Sequence, residues 1–232
     1  MWWSNLFAGM SPANFFNFSF LPKYLSFFVQ GLEYTLLLSV ISVGLAVIPA
    51  LALALMRLSR IRPLRWLSGV YIEFLRGTPL LVQVLIIYYG LPQLGIRLPR
   101  MTAGTVALVI NSAAYMAEIV RSGIQAIDAG QSEASRSLGM TSAQTMLYII
   151  LPQAIKNILP AVGNEFVVII KESSILYTIG IYELTYQANK LASTNFRYLE
   201  TLMISALVYF VLTFTTSRLL GLLERRMRRG DR

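Results

Sequence analysis

Residues 34–56 read YTLLLSVISVGLAVIPALALALM, a run of 23 residues without a charged side chain. As an α-helix this run is about 34 Å long, which is enough to cross the hydrocarbon core of a bilayer, about 30 Å thick. The sequence therefore predicts a membrane-spanning helix at this position.

Four further apolar runs follow, at residues 77–96, 101–117, 158–179 and 201–223. The simplest interpretation is an all-α integral membrane protein with five transmembrane helices. The composition agrees, because 56% of the 232 residues are hydrophobic and only 13% are charged. Soluble proteins have about 45–50% apolar and about 25% charged residues.

The chain has no cysteine and no histidine. This excludes disulfides, thiolate catalysis, ordinary zinc sites and a Ser-His-Asp triad. The sequence G-x-x-x-x-G-K-[ST], which cradles ATP phosphates, does not occur either. We therefore expect no enzyme activity, no metal site and no cofactor in this chain.

Basic residues decide the orientation. With five spans, 14 Lys and Arg residues fall on one side and 5 on the other, while Lys171 lies inside the membrane. Cytoplasmic segments carry the excess, so we expect the N-terminus outside and the C-terminus in the cytoplasm. Residues 1–22, rich in aromatics, are expected to form an interfacial segment, and residues 23–232 a single transmembrane domain with a cytoplasmic loop at 122–156.

This loop contains the polar, helix-prone stretch EASRSLGMTSAQTMLYIILP at residues 133–152. Asp128 and Ser132 are candidate N-cap residues for a helix that contains Glu133. Gly139 and Pro152 predict short helices separated by a break rather than one continuous rod.

The same stretch resembles the EAA signature found in membrane subunits of ATP-driven importers. Its spacing is matched by Glu133, Ala134, Gly139, Ile149, Leu151 and Pro152, with Ser135 in the third position of the triplet. Three further phrases are similar to those of the polar amino-acid uptake family: RGTPLLVQ at 76–83, AYMAEIVR at 114–121 and KESS at 171–174. From about Gly31 onward, the chain thus resembles the permease subunit of a type I ABC importer.

The resemblance implies a permease fold like that of the methionine importer, in a bacterial inner (cytoplasmic) membrane. It also implies partners: a second permease subunit of the same or a related chain, two ABC ATPase subunits that bind ATP and Mg, an extracytoplasmic amino-acid-binding protein, and membrane lipid. Nucleic acid is not among them. The ATPase cycle would switch the cavity between inward-facing and outward-facing states.

A force generated in an ATPase reaches membrane helices only through a rigid contact. A short helix with small residues and a break meets this requirement. The residues predicted to couple to the ATPase are Glu133, Ala134, Ser135, Gly139 and Pro152. The alternative is an ordinary amphipathic cytoplasmic helix.

Charges inside the membrane form the second candidate site. Each costs roughly 2.5–3.5 kcal/mol at the bilayer centre, so the three in the fourth span require partners or a wet cavity. An amino acid needs a cation for its carboxylate and an anion for its ammonium. The predicted substrate-binding residues are Asn111, Ser112, Tyr115, Glu165, Lys171 and Glu172.

In this hypothesis Lys171 meets the α-carboxylate, and Glu165 or Glu172 meets the ammonium or a basic side chain. Alternatively, the three charges only neutralise one another. Nearby, Glu118 and Arg121 are three residues apart and are predicted to form a local ion pair.

The function predicted from these features is ATP-driven import of polar or basic amino acids. An ion-gradient-driven secondary carrier or channel subunit is the alternative, with the charged fourth span as a relay. A passive membrane scaffold is a third possibility, in which replacing Glu133 and Gly139 leaves transport and assembly unchanged.

Overall fold

A computed structural model describes residues 17–228, so the prediction of an interfacial segment at residues 1–22, with Trp2 and Trp3, falls mostly outside the described residues. The described part is helical and contains nine α-helices. They are α1 (Leu21–Leu58), α2 (Arg62–Gly77), α3 (Leu80–Leu85), α4 (Arg100–Gln125), α5 (Ala129–Ser137), α6 (Ser142–Thr145), α7 (Leu151–Glu172), α8 (Leu184–Asn195) and α9 (Tyr198–Arg228).

Four continuous helical stretches are long and apolar enough to cross a membrane. They are Leu21–Leu58, Arg100–Gln125, Ser142–Ile179 and Tyr198–Met227. A fifth candidate span is a bent pair of helical pieces, Arg62–Gly77 and Leu80–Leu94, which meet the same criteria when taken together and are bent by 105° at the break between them. The prediction of five spans holds when this bent pair is counted as one.

The predicted second span, 77–96, was wrong in its extent. The helical piece at Leu80–Leu94 is about 22 Å long, too short to cross about 30 Å of hydrocarbon. The rest of the span is α2, which carries Arg62, Arg65, Glu73 and Arg76. A search for runs without charge overlooks a helix of this composition.

Two π-helical turns, Ile86–Gly90 and Met146–Ile150, each stand directly before a Leu-Pro pair. A proline ring clashes with the carbonyl four residues earlier in an α-helix. For Pro92 and Pro152 that carbonyl lies within the π-helical turn, where the wider helix gives the ring room. Pro152 therefore does not break the helix, contrary to the prediction, and the chain stays helical from Ser142 to Ile179.

Helices α1 and α4 form the centre of the packing, and small side chains allow them to approach closely. The buried residues shared by these helices and α2 form one cluster: Ala46, Ala50, Ala54, Ile72, Ala113, Met116, Ala117 and Val120. A second cluster joins α1, α3, α4 and α7 through Leu38, Val84, Leu108 and Ile169. This core fixes α4 between α2 and α7.

Glycines on α1 provide a matched pair of substitutions that tests this packing. A Cβ added to Gly31 would lie 2.7 Å from the Leu184 Cα, a backbone atom that cannot rotate away. We expect Gly31→Ala to lower the thermal unfolding temperature of the purified protein. Gly44 has nothing within 4 Å of such a Cβ, so Gly44→Ala should be neutral or stabilising because Ala favours a helix by about 1 kcal/mol.

Equal unfolding temperatures for the two variants would contradict the close approach of α1 to α8.

Candidate functional site

The segment that follows the third span forms two short helices, α5 and α6, separated by a sharp turn. Asp128 is the N-cap of α5, as predicted, and its carboxylate accepts a hydrogen bond from the Gly130 N–H at 2.8 Å. Ser132, the other candidate cap, lies inside α5, so that prediction was wrong. Gly139 has a φ of +86°, a conformation that other residues rarely adopt, and the predicted break there is confirmed.

The second short helix begins with a capping box. The Thr141 Oγ1 accepts from the Gln144 N–H, and the Gln144 side chain accepts from the Thr141 N–H at 2.8 Å. The Gln153 side chain on α7 also donates to the Gln131 Oε1 on α5 at 3.4 Å. Helix α5 is therefore held in place against the start of the fourth span.

The EAA residues of α5 face two directions. Ser135 is buried against its own chain, and its hydroxyl donates to the Gln131 carbonyl at 2.6 Å. Glu133 and Ala134 are exposed, and so is Leu138, with 84% of its surface accessible. The sequence reasoning did not single out Leu138, although an apolar residue beside a turn glycine is a recognisable signal.

One amide side chain, that of Gln83, donates hydrogen bonds to the groups at the break between α2 and α3. The Gln83 Nε2 donates to the Leu75 carbonyl at 2.8 Å, and to the carbonyl and hydroxyl of Thr78 at 3.1 and 2.9 Å. A helix end leaves carbonyls without partners, and a bilayer has no water to satisfy them. Gln83 provides that missing donor.

Asn111 on α4 connects to the same break. Its Nδ2 donates to the Gln83 Oε1 at 3.0 Å, and the side chain is buried. Within the described residues, the Asn111 Oδ1 has no hydrogen-bond partner. The amide thus keeps one buried acceptor that is not used by the fold.

The neighbouring residue, Ser112, faces the fourth span instead. Its hydroxyl donates to the Glu165 Oε1 at 3.4 Å, and both residues are buried. The charges of Glu172 and Arg76 both act on the Glu165 carboxylate. The junction of α4 and α7 therefore holds a buried carboxylate with a cation nearby.

Tyr115 lies one turn further along α4, below the Arg76 guanidinium, which is 5.3 Å from the centre of the ring. The predicted ion pair between Glu118 and Arg121 is confirmed. Among the residues described, Lys171 forms no ion pair with Glu165 or with Glu172. Lys171 is exposed, and Glu172 is half-buried.

The predicted substrate-binding residues are thus only partly brought together. Glu165, Ser112 and Tyr115 belong to one region, whereas Lys171 is six residues from Glu165, which places it on another face of α7. Sequence reasoning missed the structural roles of Gln83 and Arg76. Both stand in the RGTPLLVQ phrase, and a lone Gln within an apolar run was the signal for the first.

A family model described as "binding-protein-dependent transport system inner membrane component" matches residues 42–229. The probable glutamine ABC transporter permease protein GlnM of Bacillus subtilis is 42% identical over 214 residues, which cover 92% of this chain and 99% of the relative. The arginine transport system permease protein ArtQ of the same organism is 39% identical, over 93% of this chain and 99% of the relative.

Solved structures agree with the sequence matches. A crystal structure of an amino acid ABC transporter with histidines contains a chain that is 54% identical to this one, with a TM-score of 0.89 over 91% of this chain and 99% of that chain. The MetNI methionine ABC transporter in an inward-facing conformation gives a TM-score of 0.76 at 18% identity, over 88% of this chain and 98% of that chain. This likeness confirms the expected methionine-importer-like fold.

Both the family model and the relatives cover most of the chain. The protein is a multi-pass inner-membrane protein that belongs to the binding-protein-dependent transport system inner membrane components and, within them, to the permease subunits of amino-acid ABC transporters.

Proposed function

We propose that this chain forms half of the membrane pathway of an importer for polar or basic amino acids. The observation that carries the proposal is the buried Glu165 carboxylate, which meets Ser112 at the junction of α4 and α7 with Arg76 nearby. A buried carboxylate is expensive to keep in a membrane unless it has a functional partner. The ammonium of an amino acid, or a basic side chain, is such a partner.

The groups around Glu165 match the two ends of an amino acid. Glu165 binds the cationic group, and the free Oδ1 of Asn111 accepts a further hydrogen bond from the substrate. Arg76, held over Tyr115, binds the α-carboxylate. Lys171, the cation proposed from the sequence, together with Glu172, contacts substrate only where a second permease subunit covers the exposed face of α7.

The names of the relatives support a polar or basic substrate, because one is a probable glutamine permease and another an arginine permease. Both amino acids have a side chain with several N–H donors. An acceptor-rich site made of Glu165, Asn111 and Ser112 is suited to such side chains.

We further propose that an ATPase subunit grips the loop at the turn between α5 and α6. The exposed Leu138 enters an apolar groove of the ATPase, while Glu133 and Ala134 line the contact. Gly139 sets the angle of the turn, and the π-helical turn before Pro152 carries motion into α7. Ser135 stabilises helix α5 on its inner side, since it is buried against its own chain.

The complete transporter then consists of two permease subunits, two ATPase subunits and an extracytoplasmic binding protein. The family description, which names binding-protein-dependent transport, supports the last of these. ATP and Mg are bound by the ATPase, and this chain makes no covalent change in the substrate. With the loop in the cytoplasm and the N-terminus outside, closure of the ATPase pair opens the pathway outward.

The substrate site is tested by Glu165→Gln, which keeps the shape of the side chain and removes its charge. A hydrogen bond to a charged group contributes about 1.5–3 kcal/mol, so we expect amino-acid affinity to fall by about tenfold to a hundredfold. Binding of radiolabelled amino acids to the reconstituted complex, over a panel of substrates, measures this loss.

Glu73→Gln is the matched control, because Glu73 is exposed on α2 and pairs with Arg57 of α1. Unchanged affinity in Glu165→Gln for every amino acid in the panel would mean that the carboxylate serves only the packing of α4 against α7.

The coupling contact is tested by Leu138→Gln. Burial of a leucine contributes about 1.5–3 kcal/mol, so ATPase binding should weaken by about tenfold or more, and substrate-stimulated ATP hydrolysis should fall with it. The fold should be unaffected because the side chain is 84% exposed.

Leu94→Gln is the control, since Leu94 is 76% exposed and lies outside the loop. If Leu138→Gln bound the ATPase as tightly as Leu94→Gln did, the proposed grip on this turn would be wrong.

A further inference from the structure

The link between the fourth and fifth spans contains a second buried carboxylate. Glu183 is 0% exposed and is the N-cap residue of α8. It lies between Ile179, where the fourth span ends, and Tyr198, where the fifth begins. Neither the substrate site nor the coupling loop uses it.

Glu183 binds three donors from two helices. Its carboxylate accepts from the N–H groups of Thr185 and Tyr186 on α8, each at 2.7 Å. It also accepts from the hydroxyl of Tyr209 on α9 at 2.8 Å. The same hydroxyl is 3.2 Å from the Thr185 Oγ1, where either atom can be the donor.

Helix α1 completes this polar cluster. The Thr35 Oγ1 accepts from the Leu184 N–H at 3.3 Å, and Gly31 packs against the backbone at Leu184. The first three N–H groups of α8 are therefore bound by side chains of the cluster. The attachment of α8 to α1 and α9 depends on Glu183, Thr35 and Tyr209 together.

No cation compensates this charge among the described residues. Tyr209 is the titratable group that faces Glu183 from α9, and α1 contributes Thr35, which does not titrate. Arg100 of α4 donates to the Gly180 carbonyl at 3.4 Å rather than to the carboxylate. Burial raises the pKa of Glu183 to about 7, although the hydrogen bonds that it accepts act in the opposite direction.

We propose that Glu183 is a proton-sensitive positioning residue, which attaches α8 to α9 through a hydrogen bond whose direction reverses on protonation. As a carboxylate, Glu183 accepts from the Tyr209 hydroxyl. As a carboxylic acid, it donates to the Tyr209 oxygen, and Tyr209 then donates to the Thr185 Oγ1. Both states keep the cluster intact, so a proton is exchanged without unfolding α8.

The consequence for stability has a defined sign. The folded chain holds a proton on Glu183 up to about pH 7, whereas the unfolded chain releases it near the ordinary pKa of about 4.3. The stabilisation is therefore fully present below pH 4 and is lost as the pH rises through about 7. Wild-type protein should be more stable at pH 5 than at pH 8.

The test is the thermal unfolding temperature of the purified full-length protein between pH 5 and pH 8.5. Glu183→Gln is neutral at every pH and keeps a donor for Tyr209. We expect the wild-type temperature to fall by a few degrees relative to this variant as the pH rises from 5, and the fall to end near pH 7. Glu33→Gln is the control, because Glu33 is exposed on α1, and it should follow the wild-type curve.

A constant difference between wild type and Glu183→Gln over this range would overturn the proposal. If Glu183→Gln does not fold, Tyr209→Phe provides the second measurement. The hydrogen bond from Tyr209 lowers the pKa of Glu183, so its removal should raise that pKa, and the fall in unfolding temperature should end at a higher pH in the variant. A fall that ended at the same pH in both proteins would equally overturn the proposal.

Discussion

The bilayer accepts no unpaired backbone group, and the bent second span is where this constraint acts most strongly. The chain bends by 105° at Gly77–Pro79, so α2 ends there and the carbonyls of its last turn have no hydrogen-bond partner within the helix. The Gln83 Nε2 donates to the carbonyls of Leu75 and Thr78, and the Gln83 Oε1 accepts from the Asn111 Nδ2 on α4. One side chain therefore makes the bend possible and also sets the position of α4 against it.

The same rule accounts for the placement of the other buried polar groups. At the link before the fifth span, Glu183 and Thr35 satisfy the first turn of α8, as Gln83 does for the last turn of α2. Glu165 differs from both, because its recorded hydrogen bond is a long one of 3.4 Å from Ser112. Glu165 therefore keeps acceptor positions that a substrate can use. Glu183 differs, because its carboxylate already accepts three short hydrogen bonds.

Hydropathy and the EAA spacing were sufficient to predict the helical membrane fold, the number of spans and the break at Gly139. They could not predict the bend, because α2 contains four charges and the charge-free run begins only at its end. The predicted helix break at Pro152 was wrong for a different reason. A π-helical turn accommodates the proline ring, and the sequence patterns do not predict such a turn. Periodicity placed Asn111, Ser112 and Tyr115 on one helix, but only tertiary packing shows that they meet Gln83, Glu165 and Arg76 respectively.

The most direct test of this account is the free energy of unfolding of Gln83→Leu in detergent or bicelles. Side-chain hydrogen bonds in membrane proteins contribute about 0.6 kcal/mol each on average, and Gln83 makes several, so we expect a loss of about 2 kcal/mol. Gln93→Leu, an exposed position on the same span, should change stability little. Equal stabilities for the two variants would contradict the claim that the Gln83 amide holds the bend.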